Sequence, residues 1–271
     1  MMRALYTAAS GMRAQQTNVD NISNNIANVN TTAFKSQKTE FKSLLYQTIQ
    51  TRTTSANGEE KPIGAQVGLG TRVASNTTSY TQGALLEDES KSAFAIEGNG
   101  FFQVRGADGT TYYTRNGNFN WSIGPTGTTL TNTDGYPVLD SNGNTIVLPN
   151  NVNSGKAVGT TDGQVGYYNN AGAYVSMNRT IGLSQFNNPA GLEKAGSNLL
   201  RATNASGAAL NEATNANLTR SKIHQSYLEG SNVQVADEMV NLIVAQRAYQ
   251  LNSKAITTSD DMLEQANNLK R

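Results

Sequence analysis

The sequence lacks cysteine and is poor in histidine and aromatic residues. Its 271 residues include 0 cysteines and 1 histidine, His224, and 7% of them are aromatic. Without cysteine the chain can form no disulfide bond, no thiol nucleophile and no cysteine-ligated metal site. A lone histidine without a nearby cluster of acidic residues does not suit metal binding or general acid–base catalysis, which needs an oriented partner. We therefore predict no catalytic residue, no metal site and no cofactor.

Charge and long hydrophobic runs are scarce as well. Lys and Arg number 21 and Asp and Glu 20, and the charged fraction is 15%, against about 25% in typical proteins. This balance provides no basic patch for nucleic acid. No run approaches the roughly 18 apolar residues of a membrane-spanning helix. Arg3 and Arg13 enclose no apolar run of about 7–15 residues, so we expect neither membrane insertion nor a cleaved signal peptide.

What the sequence does contain is a regular apolar pattern at each end. In residues 1–32, positions separated alternately by three and four residues are apolar except Gln15, which is the spacing of a helical heptad. We call this set the N-terminal stripe: Leu5, Ala8, Met12, Val19, Ile22, Ile26 and Val29. The intervening Asn, Thr and Ser residues are mediocre helix formers. The predicted helix over 1–32 therefore needs a partner surface.

Residues 231–271 predict a second long helix with the same spacing. Its C-terminal stripe consists of Val235, Met239, Leu242, Tyr249, Ile256 and Leu263. A further apolar set, the outer stripe, consists of Val240, Val244, Ala248, Leu251, Ala255, Met262, Ala266 and Leu269. Two stripes on one helix indicate contacts with more than one neighbour. Chain ends usually fray, but here they have the most regular apolar spacing in the sequence. We therefore expect the N-terminal and C-terminal stripes to form a subunit interface.

The middle of the chain has the pattern of antiparallel β-structure. Asn-Gly and Asp-Gly pairs, which supply the backbone angles of tight hairpins, recur between short strand-like segments. The predicted fold class is therefore α+β, with terminal helices in a coiled-coil-like domain and a β-rich outer domain over 91–186. Residues 33–90 are predicted to connect them, with a short helix at Glu40–Thr48 and an insertion at 51–70. Residues 187–230 are predicted to be an extended return segment outside the core.

Two local patterns resemble chemical sites, but turns explain them better. Asp140 begins a segment like a calcium loop, yet its twelfth position is Asn151 rather than the required Glu. Glu87, Asp88 and Glu89 are adjacent, so they do not face each other across a substrate as glycosidase carboxylates must. A β-rich enzyme acting on peptidoglycan remains the alternative from a different class, but no acid–base pair supports it.

Motifs at both ends resemble the bacterial flagellar rod and hook protein family. The segment NNIANVNTTAFK at 24–35 resembles the family signature after the first helix, and MVNLIVAQRAY at 239–249 with NSKAI at 252–256 resembles the C-terminal signature. The matching positions are Asn28, Asn30, Thr31, Lys35, Gln246, Arg247, Ala248, Tyr249, Asn252 and Lys254. Ala33-Phe34 stands where the family commonly has Gly-Tyr.

The resemblance implies a structural subunit of the flagellar rod or hook. Such subunits pack their terminal helices into a hollow tube, which carries torque and lets exported proteins pass. The implied partners are copies of the same chain, other rod proteins, the hook protein, the peptidoglycan and outer-membrane rings, and the export apparatus. The implied location is the basal body across the periplasm, reached without a cleaved signal peptide.

Replacing Ile22 or Leu242 with Asp is expected to abolish the polymer, because each change places an unpaired charge in a dry apolar stripe. Electron microscopy of the purified variants measures this. Polymer formation at the wild-type concentration would contradict the prediction.

Overall fold

The computed structural model describes residues 2–50, 64–124, 127–149, 152–169 and 172–269. The chain divides into two compact units, each built from separate segments. Unit 1 comprises Met1–Ala27, Gln37–Thr78 and Gln234–Arg271, and unit 2 comprises Asn28–Ser36 and Ser79–Val233. A helix at each end and antiparallel strands between them confirm the α+β class.

Unit 1 combines two long helices with a long hairpin. Its elements are α1 (Met2–Ala27), β1 (Gln37–Ser43), β2 (Tyr46–Gln50), β3 (Ala65–Gly68), β4 (Thr71–Thr78) and α2 (Val235–Asn268). Strand β1 pairs with β4 and β2 with β3, both antiparallel. The amide of Leu44 donates to the carbonyl of Gly70 at 2.9 Å, and that of Leu69 donates to the carbonyl of Leu45 at 3.1 Å. These bonds join the two strand pairs into one hairpin.

Helix α1 is shorter than the sequence predicted, because the chain turns after Ala27. The amide of Thr31 donates to the carbonyl of Asn28 at 3.1 Å, and Ala33 has a left-handed φ of 56°. Val29 therefore lies in a turn and does not extend the N-terminal stripe along the helix. Helix α2 begins at Val235 with two acidic residues in its first turn, where the helix dipole favours them.

The predicted helix at Glu40–Thr48 is wrong, because these residues lie in β1, in β2 and in the two-residue connection between them. Residues 37–43 pair along their length with residues 71–78, with a bulge between Glu40 and Phe41. Pairing with a distant strand outweighs the weak helix preference of a short segment. The predicted insertion at 51–70 lies largely outside the described residues, and its described part contains β3.

Unit 2 contains the other strands. They are β5 (Leu85–Glu87), β6 (Phe94–Glu97), β7 (Phe101–Arg105), β8 (Thr111–Thr114), β9 (Asn120–Gly124), β10 (Gly127–Thr131), β11 (Val147–Leu148), β12 (Ala157–Gly159), β13 (Gln164–Tyr168), β14 (Tyr174–Thr180), β15 (Leu183–Gln185), β16 (Glu193–Gly196), β17 (Leu199–Arg201), β18 (Leu210–Asn211), β19 (Lys222–Gln225) and β20 (Tyr227–Glu229).

The largest sheet of unit 2 has the strand order β16-β17-β8-β7-β15-β18. Smaller sheets have the orders β11-β10-β9, β12-β13-β14, β19-β6 and β20-β5. The β7–β8 hairpin turns at Asp108-Gly109, where Gly109 has a φ of 77°. Asp-Gly pairs predict hairpins because glycine readily adopts this left-handed angle.

The core of unit 2 includes residues from the predicted return segment. Its main buried cluster contains Phe94, Ile96, Phe102, Val104, Phe119, Leu130, Val138, Ile146, Val165, Ile181, Leu183, Leu199 and Ile223. The prediction that 187–230 lies outside the core is therefore wrong. Strand β17 pairs with β8 and buries Leu199 and Leu200, while β19 pairs with β6 and buries Ile223. These isolated apolar residues lie in an Asn-, Ala- and Ser-rich segment that masks the strand pattern.

The buried Tyr80 side chain makes unit 2 less stable at alkaline pH. Its ring packs edge-on against Phe101 at 5.6 Å, and burial raises the pKa of Tyr80 from 10.0 to about 12. Between these values the unfolded chain has lost the proton that the folded chain keeps, so stability falls as pH rises. A difference of two pKa units between the folded and unfolded chain lowers the free energy of unfolding by up to about 3 kcal/mol.

Tyr80→Phe is therefore expected to flatten the fall in unfolding free energy between pH 10 and pH 12. The fluorescence of Trp121, the single tryptophan, reports the urea unfolding of unit 2. Tyr113, whose pKa burial also raises, acts equally in both proteins. Equal slopes for the variant and the wild type would contradict the prediction.

Candidate assembly surface

The terminal helices pack closely against each other in unit 1. Small residues of α1, Ala8, Gly11 and Ala14, are buried. A Cβ atom on Gly11 would lie 2.9 Å from Nδ2 of Asn252, so glycine leaves the space that this amide occupies. Asn252, one of the motif residues, therefore lies where α1 and α2 come close to each other.

A second contact between the helices is polar and is made by a buried side chain of α1. The Asn25 side chain is 0% exposed. Its Nδ2 donates to the carbonyl of Gln37 at 2.8 Å and to Oε1 of Glu238 at 3.2 Å, and its Oδ1 accepts from the amide of Gln37 at 3.0 Å. One carboxamide thus connects α1, β1 and α2. Gly11 meets Asn252 and Asn25 meets Glu238, so the helices run antiparallel.

The hairpin of unit 1 is also attached to α1. The Ser10 hydroxyl accepts a hydrogen bond from the amide of Thr71 at 3.3 Å. Gly70, with a φ of 117°, passes so close to Ser10 that a side chain at this position would collide with the hydroxyl. Nearer the end of α1, Nδ2 of Asn21 donates to the hydroxyl of Thr39 at 3.0 Å. Helix α1 is therefore covered by α2 and by the hairpin.

The N-terminal stripe is used largely inside this unit. Ile22 is 6% exposed and Ala8 is buried. Its remaining helical members, Leu5, Met12, Val19 and Ile26, are partly buried. The stripe therefore supports the fold of one chain, and its predicted role between subunits stays a prediction.

The C-terminal stripe is divided between the inside and the outside of unit 1. Leu242, Ile256 and Leu263 are partly buried, whereas Val235, Met239 and Tyr249 are exposed. The covered side of α2 also contains Ala245 and Ser259, both of which are buried.

The outer stripe leaves large apolar side chains in contact with solvent. Val244 is 62% exposed and Leu251 is 71% exposed. Val240, Met262 and Leu269 are exposed too, whereas Ala248 is partly buried. Exposed side chains of this size, repeated along one helix, form a surface suited to protein association. We refer to Val240, Val244, Leu251, Met262 and Leu269 as the exposed outer stripe.

The other motif residues have varied surroundings. In the turn after α1, the Thr31 hydroxyl donates to Oδ1 of Asn28 at 3.1 Å, while Asn30 is exposed. On α2, Gln246, Arg247 and Lys254 are exposed. Arg247 donates to Oε1 of Gln250 at 3.2 Å.

Lys35 belongs to a buried cluster of charges in unit 2. Its Nζ lies 2.6 Å from Oε1 of Glu229, and Nε of Arg115 lies 3.3 Å from Oε2 of the same carboxylate. Lys35, Arg115 and Glu229 are 6%, 4% and 1% exposed. Burial lowers the pKa of Lys35, which the negative charge of Glu229 partly offsets. Arg115 and Glu229 were not predicted from the sequence, because they look like ordinary charged residues far from Lys35.

The described residues contain no group of three or more His, Asp or Glu side chains placed to hold a metal ion. No helix in the described part of the chain is long and apolar enough to span a membrane.

Comparisons with known proteins match the ends and the middle of the chain to flagellar families. Residues 5–35 match the family described as Flagella basal body rod protein, and residues 95–167 match the Flagellar hook protein FlgE/F/G D1 domain. Residues 224–269 match the Flagellar basal body rod FlgEFG protein C-terminal family.

Individual relatives align over 96% or more of the chain. The Flagellar basal-body rod protein FlgG of Borreliella burgdorferi is 43% identical over 100% of both chains. The proteins of the same name from Agrobacterium fabrum and Bacillus subtilis are 42% and 40% identical, covering 96% and 100% of this chain and 97% and 100% of their own. The chain belongs to the flagellar basal-body rod protein family. In this rod-family chain, the matched terminal regions contain α1, the turn with Lys35, and α2.

Removing the Lys35 ammonium is expected to destabilise unit 2 strongly. In Lys35→Ala the buried Glu229 carboxylate loses a partner, and breaking such a pair costs about 3 kcal/mol or more. The matched control is Arg201→Ala, which removes a pair of equal length, 2.6 Å to Glu193, that is exposed to solvent. The control should change stability by less than about 1 kcal/mol.

Urea unfolding followed by Trp121 fluorescence measures both variants. Similar losses of stability in Lys35→Ala and Arg201→Ala would show that burial does not strengthen the Lys35 contact.

Proposed function

We propose that the chain is a structural subunit of the bacterial flagellar distal rod. It polymerises into a rigid hollow drive shaft, which transmits motor torque to the hook and lets export substrates pass. The observation that carries this proposal is the exposed outer stripe of α2, which lies on a helix already anchored in unit 1 by α1. The relatives named as basal-body rod proteins support the same role.

The exposed outer stripe has the length and chemistry for a polymer contact. Helix α2 has 34 residues, which gives a length of about 50 Å. Burying each large apolar side chain contributes roughly 1.5–3 kcal/mol. A contact between this stripe and a different surface of the next subunit repeats without closing, which generates an open helical polymer. Long helices packed along a tube would resist bending, as a drive shaft requires.

The proposal includes a location and a set of partners. The chain occupies the basal body across the periplasm, and it is exported there without a cleaved signal peptide. It contacts copies of itself, proximal rod proteins, the hook protein and the surrounding ring proteins, and it passes through the flagellar export apparatus. It uses no cofactor, binds no nucleic acid, does not insert into the membrane and catalyses no reaction.

The alternative within the family is a proximal rod or hook subunit. The shape of the polymer separates these roles, because a rod subunit forms straight tubes whereas a hook subunit forms curved ones. The peptidoglycan-acting enzyme remains the alternative from a different class. Release of soluble fragments from purified peptidoglycan by the full-length chain would favour it.

A sharper test of assembly than Ile22→Asp uses the exposed outer stripe. Ile22 is buried within its own chain, so its replacement would disturb folding as well as assembly. Leu251→Asp instead places a charge on an exposed position, where the folded chain tolerates it. We expect this variant to remain folded and to form no polymer, because assembly would bury an unpaired charge.

The matched control is Thr257→Asp, which adds the same charge at an exposed position of α2 outside the outer stripe. Thr and Asp have similar helix propensities, so the control leaves the helix intact. Circular dichroism checks folding, and electron microscopy measures the polymer. Normal assembly of Leu251→Asp, or equal failure of both variants, would contradict the assigned surface.

A further inference from the structure

The chain passes between the two units four times, and the unit 2 residues next to three of these passages are joined by the hydrogen bonds of one side chain. The passages follow Ala27, Ser36, Thr78 and Val233. Within unit 2, the segments 33–36, 79–83 and 229–232 come together next to the last three passages. They are distant in sequence, so the fold itself must hold them together.

The Asn232 carboxamide is the group that connects these segments. Its Oδ1 accepts a hydrogen bond from the amide of Ser36 at 2.7 Å. Its Nδ2 donates to the carbonyl of Ser79 at 2.9 Å and to the hydroxyl of Thr81 at 2.9 Å. The amide of Ser79 donates directly to the carbonyl of Ser36 at 2.8 Å, which completes the connection.

A second set of bonds lies next to the Asn232 carboxamide and joins the same segments. Nζ of Lys35 donates to the carbonyl of Thr81 at 2.7 Å and contacts the Glu229 carboxylate. The amide of Ala33 donates to the carbonyl of Glu229 at 2.7 Å, and the amide of Asn232 donates to the carbonyl of Phe34 at 3.3 Å. The three segments are therefore cross-linked twice, once by Asn232 and once around Glu229.

The hydrogen bonds made by Asn232 require a carboxamide side chain. Asn232 must accept from one main-chain amide and donate to a carbonyl of another segment through the same short side chain. Nδ2 of Asn232 also donates to the carbonyl of Thr81 at 3.2 Å. Aspartate has the same size but no N–H group, so it would place a negative oxygen against the Ser79 and Thr81 carbonyls. Alanine would leave the Ser36 amide without this acceptor.

We propose that Asn232 is a positioning residue for torque transmission, which couples three chain passages so that they share mechanical load. The inference rests on the proposed function as a rod subunit. In a rotating rod, part of the force that reaches unit 2 enters through the backbone at these passages. Separate passages would be loaded one at a time, whereas cross-linked passages bear the force together. Asn232 is therefore needed for rotation under load more than for assembly.

The test compares Asn232→Ala with Asn132→Ala in cells that express each variant as their only distal rod subunit. Asn132 is a suitable control, because its Oδ1 accepts from the amides of Asp134 and Tyr136 within a single turn of unit 2. Electron microscopy counts the assembled basal bodies, and rotation of attached beads is measured in media of rising viscosity. We expect normal assembly and normal speed at low load for both variants.

At high load the two variants should differ. The load at which half of the motors stop should fall about twofold in Asn232→Ala, since several hydrogen bonds are lost at once, and should be unchanged in Asn132→Ala. An Asn232→Ala strain with wild-type load tolerance, or equal sensitivity of both variants, would overturn the inference. If the wild-type chain forms no rod, the proposed function itself has failed.

A measurement on the purified chain covers the case in which Asn232→Ala does not assemble. Because the chain has no cysteine, Thr257→Cys in unit 1 and Ala107→Cys in unit 2 allow attachment of handles for force measurements. Asn232→Ala should lower the force of the first extension relative to the wild type and to Asn132→Ala. An unchanged force would overturn the inference.

Discussion

The close packing of α1 against α2 is the constraint on which the rest of unit 1 depends. Gly11 provides the space for Asn252, and the buried Asn25 carboxamide ties both helices to β1. With one side of α2 covered in this way, its outer stripe is left facing solvent. The same packing thus stabilises one chain and determines which apolar surface is available to the next. A buried amide is tolerated because its hydrogen bonds are made within the unit.

Unit 2 depends on a different kind of interaction, a set of buried charges. Taking Lys35, Arg115 and Glu229 out of water is costly, and only close pairing offsets that cost. Arg115 also donates to the carbonyls of Gly98 and Gly100 at 2.8 and 2.6 Å. These bonds specify where distant segments of unit 2 must meet. We therefore assign the two tasks of the proposed rod subunit to different chemistry. Assembly depends on the apolar surface of α2, and load bearing depends on the polar contacts around Asn232 and Glu229 in unit 2.

The sequence predicts the parts of this structure that depend on local spacing. Heptad spacing identifies both helices, and Asp-Gly pairs such as Asp108-Gly109 mark hairpins, because both signals act over a few residues. Pairing between distant segments is not encoded locally. Residues Glu40–Thr48 become strands only through β3 and β4, and Leu199 enters the core only through β8. The partners of Asn25, Lys35 and Asn232 could not be predicted from the sequence for the same reason.

The most direct measurement is electron cryo-microscopy of the polymer formed by the full-length chain, at a resolution that shows side chains. We predict a straight tube in which Val244 and Leu251 are buried between subunits, while Gly11 still packs against Asn252 within each subunit. A tube in which Val244 and Leu251 face solvent, or in which α1 and α2 of one chain have separated, would contradict the proposed mode of assembly.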